Sequence, residues 1–226
     1  MHVFALCWFH AGTLLFLTRK GGCLPCESCS AAGDSCSGSK IICPGGLIKC
    51  GTARTVNTTG PRTIHKFCFL PSDCIYKGPS TFNVGKSGIV SSRLFCCNED
   101  ECNHYFPDIP PISTTFNGIK CPACFGLKKY TCNEEVIVEC TGDQDYCLDM
   151  SGTARTGPPV AIKGCVNKVV CDDFKKGMVF FAGVHVHGAG TCLPMKTISG
   201  KADYTPELFA LSLPVLACLL HVKILP

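Results

Sequence analysis

The run Cys96-Cys97-Asn98-Glu99-Asp100-Glu101-Cys102-Asn103 decides how the rest of the chain is read. Upstream of it, cysteines stand at Cys26, Cys29, Cys36, Cys43, Cys50, Cys68, Cys74 and Cys96, at intervals of 3, 7, 7, 7, 18, 6 and 22. Downstream, a second series stands at Cys121, Cys124, Cys132, Cys140, Cys147, Cys165, Cys171 and Cys192, at intervals of 3, 8, 8, 7, 18, 6 and 21. Successive intervals agree within one residue, which marks a tandem duplication with a period of 95 to 97 residues. The first unit continues to Cys97 and Cys102, whereas in the second Leu193 follows Cys192 and no cysteine precedes the tail. Two cysteines lost together argue that Cys97 and Cys102 bond each other and close a small loop. The units then hold ten and eight cysteines, both even numbers.

Composition bounds the class. Cysteine makes up 21 of 226 residues, a density typical of disulfide scaffolds in an oxidising compartment. The net charge is +4 with 17 % charged residues and no Lys/Arg run, so nucleic acid is not an expected partner. The strings Cys26-Glu27-Ser28-Cys29 and Cys121-Pro122-Ala123-Cys124 have redox or zinc spacing, but in a bridge-dense frame they read as structural disulfides.

Both ends read as processed segments. Val3 to Leu17 is apolar and suits a signal-peptide core, with Gly21-Gly22-Cys23 as the cleavage region, giving a signal over residues 1–23. An uncleaved N-terminal anchor is the alternative, because the n-region lacks a positive charge. Leu208 to Leu220 spans 13 residues and contains Pro214, whereas a membrane-crossing helix needs about 20. Small residues Ser199, Gly200 and Ala202 precede it, which fits a glycosylphosphatidylinositol signal over 199–226 with attachment at Gly200. The other reading is a hydrophobic tail on a secreted protein. Cys7 and Cys218 fall in the removable ends. Cleavage before Cys23 would leave one odd thiol, able to join two copies as a homo-oligomer; cleavage after it leaves none.

Between the units, residues 104–120 carry Pro107, Pro110 and Pro111 and read as a stiff linker. The expected domains are therefore 24–103 and 121–198. Neither unit shows sustained helical periodicity; short β-rich runs alternate with turn residues. Ile48 to Val56 and Arg62 to Phe69 flank Asn57-Thr58-Thr59-Gly60-Pro61 as one hairpin, and Gly157-Pro158-Pro159 takes the same place in the second unit. A further hairpin is expected from Thr81 to Val84, through Gly85-Lys86-Ser87-Gly88, to Ile89–Phe95. The string GTART occurs at residues 51–55 and 152–156, four to six residues out of register with the cysteine frame, so it reads as coincidence or shared strand composition. Units this small bury little apolar surface, and bridges worth about 2–4 kcal/mol each would compensate.

The CESC string, the downstream spacing and the closing Asn103 resemble a domain of the urokinase-receptor and lymphocyte-antigen superfamily. Two such units in one chain are similar to the gamma-type phospholipase A2 inhibitors. Arg62 to Cys68 (RTIHKFC) and Phe82 to Gly85 (FNVG) are similar to that subfamily's first domain. The second unit, lacking the terminal pair, resembles amphibian sodefrin-precursor-like proteins. The resemblance covers residues 24 to 195 and implies an all-β, disulfide-rich chain of two tandem three-finger domains. It also implies the pairing Cys26–Cys50, Cys29–Cys36, Cys43–Cys68 and Cys74–Cys96 beside Cys97–Cys102. In the second unit it implies Cys121–Cys147, Cys124–Cys132, Cys140–Cys165 and Cys171–Cys192.

Catalytic patterns are missing: there is no GxSxG, HExxH or phosphate loop, and no enzyme, cofactor or metal is expected. His185-Val186-His187 could face a metal from one side of a strand, but reads as two exposed histidines. Asp172-Asp173 and Glu99-Asp100-Glu101 read as solvated turn charges. Asn57-Thr58-Thr59 is a glycosylation sequon at an expected hairpin tip. The expected function is binding of an extracellular protein, a secreted phospholipase A2 by resemblance. The alternatives are a lipid-anchored receptor or adhesion protein and a secreted pheromone-like signal.

Overall fold

The computed structural model describes residues 24–44, 49–75, 78–105, 108–133, 135–154 and 157–195. The signal segment, the tail with Gly200, and Cys7, Cys23 and Cys218 lie outside them. Each repeat unit folds into three antiparallel hairpins. In the first, β1 (Leu24–Ala32) pairs with β2 (Ser39–Cys43), β3 (Lys49–Asn57) with β4 (Thr63–Phe69), and β5 (Ser80–Asn83) with β6 (Ile89–Cys97). In the second, β7 (Phe116–Leu127) pairs with β8 (Val136–Thr141), β9 (Tyr146–Ala154) with β10 (Pro159–Val166), and β11 (Met178–Phe181) with β12 (Val184–Pro194). In both units the third hairpin lies beside the second and the second beside the first. The protein is all-β and disulfide-rich, built from tandem three-finger units. β7 begins at Phe116, inside the stretch read as linker.

The hairpins form where the turn chemistry puts them. Thr55 pairs with Thr63 across the Asn57–Pro61 turn, and Thr153 with Pro159 across the equivalent turn. Ala182 and Gly183 both have positive φ, 49° and 85°, so the β11–β12 turn is the primed kind that matches strand twist. The GTART stretches lie on the corresponding strands β3 and β9, displaced by four positions relative to Cys50 and Cys147; Arg155 and Thr156 fall outside the described residues.

Sulfur fills the base of each unit. The structure joins Cys26 to Cys50, Cys29 to Cys36, Cys43 to Cys68, Cys74 to Cys96 and Cys97 to Cys102. In the second unit it joins Cys121 to Cys147, Cys124 to Cys132, Cys140 to Cys165 and Cys171 to Cys192. Cys26, Cys43 and Cys50 are fully buried together, as are Cys121, Cys140 and Cys165. Asn103 is wholly buried beside the first base. Its Oδ1 accepts from the Glu27 N–H at 3.0 Å, and its Nδ2 donates to the carbonyls of Glu27 and Gly51 at 2.8 and 3.2 Å. One amide side chain thus ties the loop closed by Cys97–Cys102 to β1 and β3. In the second unit Leu193 pairs with Cys147 where Cys97 pairs with Cys50, and the ladder runs on to Pro194.

The two units are fused along a seam. Cys165 and Val166 at the end of β10 pair with Asn83 and Phe82 of β5, which extends one sheet across both units. This pairing covers the outer edge of β5, where unpaired backbone groups would otherwise face outward. The Asn167 side chain accepts from the Thr81 N–H at 3.3 Å and donates to the Pro79 carbonyl at 3.0 Å. Asn167 precedes the short helix α1 (Lys168–Phe174), yet its side chain makes no cap bond and serves the seam instead. At two turns, α1 is too short to leave a sequence period. A single apolar cluster holds Phe82, Val84 and Val90 of the first unit with Leu148, Met150, Ile162, Val166, Val170, Val179 and Phe181 of the second. Phe180 crosses the other way and packs with Ala53 and Leu94.

Candidate functional site

Strand alternation places the side chains of the site. On β4, Lys66 turns inward and is almost completely buried, while Phe67 is 54 % exposed. Residues His65, Phe67 and Phe69 therefore share one face of the strand. The inward Lys66 ammonium lies 2.5 Å from Glu27 Oε2. Burial alone would raise the Glu27 carboxyl, but the hydrogen bonds from Lys66 and the Gly38 N–H, with the Lys66 charge, hold it below its ordinary value.

Opposite the outer face of β4 comes the β11–β12 hairpin of the other unit. A Cβ built on Gly183 would meet His65 Cδ2 at 3.2 Å and Thr55 Oγ1 at 3.5 Å, so the bare glycine lets this turn approach β3 and β4. Between the two runs a groove of about 510 Å³. Phe69, Phe125, Val160, Phe181 and Val186 form its walls. Phe67, Leu127 and Val184 stand at its mouth, 54 %, 55 % and 47 % exposed, and large apolar side chains gathered at one concavity mark an interaction site.

Two polar stations interrupt the apolar lining. His65 is half-buried; its Nδ1 is 2.9 Å from Ser30 Oγ, and burial pushes its imidazole pKa down. His185 is 4 % exposed, with its ring 4.9 Å from Phe180 and 6.3 Å from Phe69. Its Nδ1 lies 4.0 Å from Oδ2 of Asp73, which is 1 % exposed. Asp73 is fixed by its own 3-10 turn, Pro71–Cys74, where the Leu70 N–H donates to the same Oδ2 at 3.1 Å. Two ionisable groups from different units thus meet at buried positions.

His185 corrects the reading of His185-Val186-His187 as two exposed strand histidines. His187 is exposed, but the first unit covers His185. Asp173 is likewise buried rather than solvated. Among the described residues, the groups with metal-binding proximity are Cys26, Cys43, Cys68 and Cys121, Cys140, Cys165, whose sulfurs are taken up in disulfides. Asn57 ends β3, and its Oδ1 accepts from the Thr59 N–H at 3.0 Å; it does not line the groove. Sequence reasoning missed the groove, although the alternation His65-x-Phe67-x-Phe69 was its visible trace.

The u-PAR/Ly-6 domain family matches residues 22–105 and again 117–188. The chain belongs to the u-PAR/Ly-6 family. Among curated members it is similar to "Phospholipase A2 inhibitor PIP" of Malayopython reticulatus, 31 % identical over 163 residues, covering 68 % of this chain and 79 % of that one. It is also similar to "Phospholipase A2 inhibitor 31 kDa subunit" of Naja kaouthia, 34 % identical over 150 residues, covering 63 % and 78 %. Among solved structures, mouse TEX101 is 17 % identical with a TM-score of 0.37, covering 76 % of this u-PAR/Ly-6 chain and 99 % of that one. The curated relatives are named as inhibitors, not as enzymes. Among the described residues no helix is long and apolar enough to cross a membrane.

Proposed function

We propose that the chain is an extracellular binding protein that captures a secreted phospholipase A2 and blocks its access to lipid. The observation that carries this reading is that relatives named phospholipase A2 inhibitors match it across both units rather than one. The geometry supports a contact face. Phe67, Leu127 and Val184 project from strands held by disulfides, so little ordering accompanies binding. Each such side chain, once fully buried by a partner, contributes roughly 1.5–3 kcal/mol. Purified protein titrated against several secreted phospholipases A2 is expected to form a complex and lower lipid hydrolysis. The double change Phe67→Ala with Leu127→Ala should weaken the complex at least about tenfold. No complex and no loss of hydrolysis at micromolar protein overturn the reading.

The same reading divides the chain into a signal at 1–23, domains at 24–103 and 121–198 joined by 104–120, whose last residues from Phe116 enter β7, and a hydrophobic tail at 199–226. Asn57 carries a glycan at the tip of the β3–β4 hairpin, outside the groove lining. The apolar stretch Leu208–Leu220 favours a second reading, a receptor or adhesion protein anchored at Gly200. Release from expressing cells by phosphatidylinositol-specific phospholipase C supports that reading, and retention rejects it.

A further inference from the structure

The groove is a container as well as a contact face. Its volume of about 510 Å³ falls within the roughly 300–1,000 Å³ of small-molecule sites. Its walls come from both units and are set by covalent and packed structure. Cys43–Cys68 and Cys74–Cys96 hold the first-unit wall, and the shared apolar cluster holds Val160, Phe181 and Val186. The cavity therefore exists before any ligand enters it.

The lining restricts the chemistry of an occupant. Among the described lining residues, His65, His185 and Asp73 are the ionisable groups, and none is a lysine or arginine. None of the described lining residues offers a carboxylate or phosphate head a fixed cation in exchange for its hydration, and that loss is costly in an apolar site. An ammonium head fares no better, because Asp73 is 1 % exposed and His185 stands beside it. His65 is the accessible polar station: Ser30 Oγ engages Nδ1, while Nε2 turns toward Gly183 within the lining. Burial lowers its pKa, which favours the neutral ring. A neutral imidazole nitrogen donates or accepts according to tautomer, and a hydroxyl group can answer either.

We infer that this groove binds one uncharged amphiphile, a single hydrocarbon chain with a hydroxyl-bearing head, with the head at His65 and the chain along Phe69, Phe125 and Phe181. Along β4 the lining extends from His65 to Phe69, about 13 Å at 3.3 Å per residue, a span that an extended hydrocarbon chain can follow.

The test uses the folded, disulfide-bonded protein without any phospholipase, so its outcome is independent of enzyme capture. The neutral fluorophore N-phenyl-1-naphthylamine is titrated in, then displaced by monolauroylglycerol or by laurate, both kept below their aggregation concentrations. Saturable binding at one site per chain is expected, with monolauroylglycerol displacing the probe at least about tenfold more effectively than laurate at neutral pH. Val160→Trp should fill the cavity. Leu127→Glu, at an exposed mouth position where folding is not at risk, should weaken the probe by about tenfold through a charge at the entrance. His65→Phe should lessen the preference for monolauroylglycerol over laurate while leaving probe binding within a few-fold. Non-saturable uptake, equal displacement by laurate, or parental affinity in Leu127→Glu would each overturn the inference.

Discussion

Asp173 sits on α1 with 3 % exposure, its Oδ1 2.9 Å from the Lys176 ammonium and its Oδ2 buried without a hydrogen-bond partner. Burial pushes its carboxyl pKa up despite Lys176, and the charge of Asp172 adds to the rise. The folded state therefore holds this proton more tightly than the unfolded chain does. The resulting penalty appears as pH rises above the ordinary aspartate range and persists at neutral pH; acidification relieves it. An asparagine of the same shape cannot carry that charge. Asp173→Asn should melt at the same temperature as the parent or a few degrees higher at neutral pH, and this difference should vanish in acid. A clearly lower melting temperature at neutral pH would mean that the Lys176 pair outweighs burial. At this scale the sequence shows chemistry but not cover. The cysteines were legible because spacing alone exposes a repeat, and the closing Asn103 stood next to the last of them. His185 was misread because Asp73 and Phe69, which pack beside it, are distant in sequence, and Asp173 because α1 is too short to leave a helical period that would mark its buried face.

At the scale of elements, local turn chemistry made the hairpins legible: Asn57–Pro61, Gly85–Gly88 and Gly157–Pro159 lie where strands reverse. The join between β10 and β5 was not legible, because a strand pairing between residues so far apart leaves no local pattern. It hinges on Gly164. A Cβ built there would lie 1.9 Å from the Asn83 carbonyl oxygen and 3.4 Å from Val84 Cα, both backbone atoms that cannot swing aside. Gly164→Ala must therefore separate β10 from β5 and disturb the Asn167 bonds next to it. The expected loss is on the order of 3 kcal/mol in a denaturant titration. Amide exchange should accelerate at Asn167, whose N–H donates to the Thr81 carbonyl of β5 at 3.3 Å. Gly78→Ala is the control, since among the described residues its Cβ would meet Val169 Cγ2 at an ordinary 3.5 Å and no backbone atom. An unchanged midpoint and unchanged exchange in Gly164→Ala would show that the seam contributes nothing to stability.

At the scale of the whole molecule, the disulfides account for each base but not for how the units cohere. Among the described residues, all nine bridges stay within one unit or the other. The expectation that such small units compensate for thin cores with sulfur is therefore incomplete, because the second unit buries an apolar cluster that the first unit closes. Phe82 is the plainest member: it is fully buried, it belongs to β5, and its ring lies 5.0 Å from Phe181 of β11. Truncating a buried phenylalanine costs about 3–5 kcal/mol. Where that cost falls is the informative point. If the seam makes the units one cooperative body, calorimetry of Phe82→Ala should show a single transition shifted as a whole to lower temperature, with the parent also melting once. If the units are independent, the parent trace splits, and the substitution moves only the component that contains β5. The groove depends on the same outcome, since its walls belong to both units: a molecule that melts as one body keeps β4 and the β11–β12 hairpin in register up to its single transition, whereas one that melts in two steps loses the site with the first unit to unfold while the other is still folded.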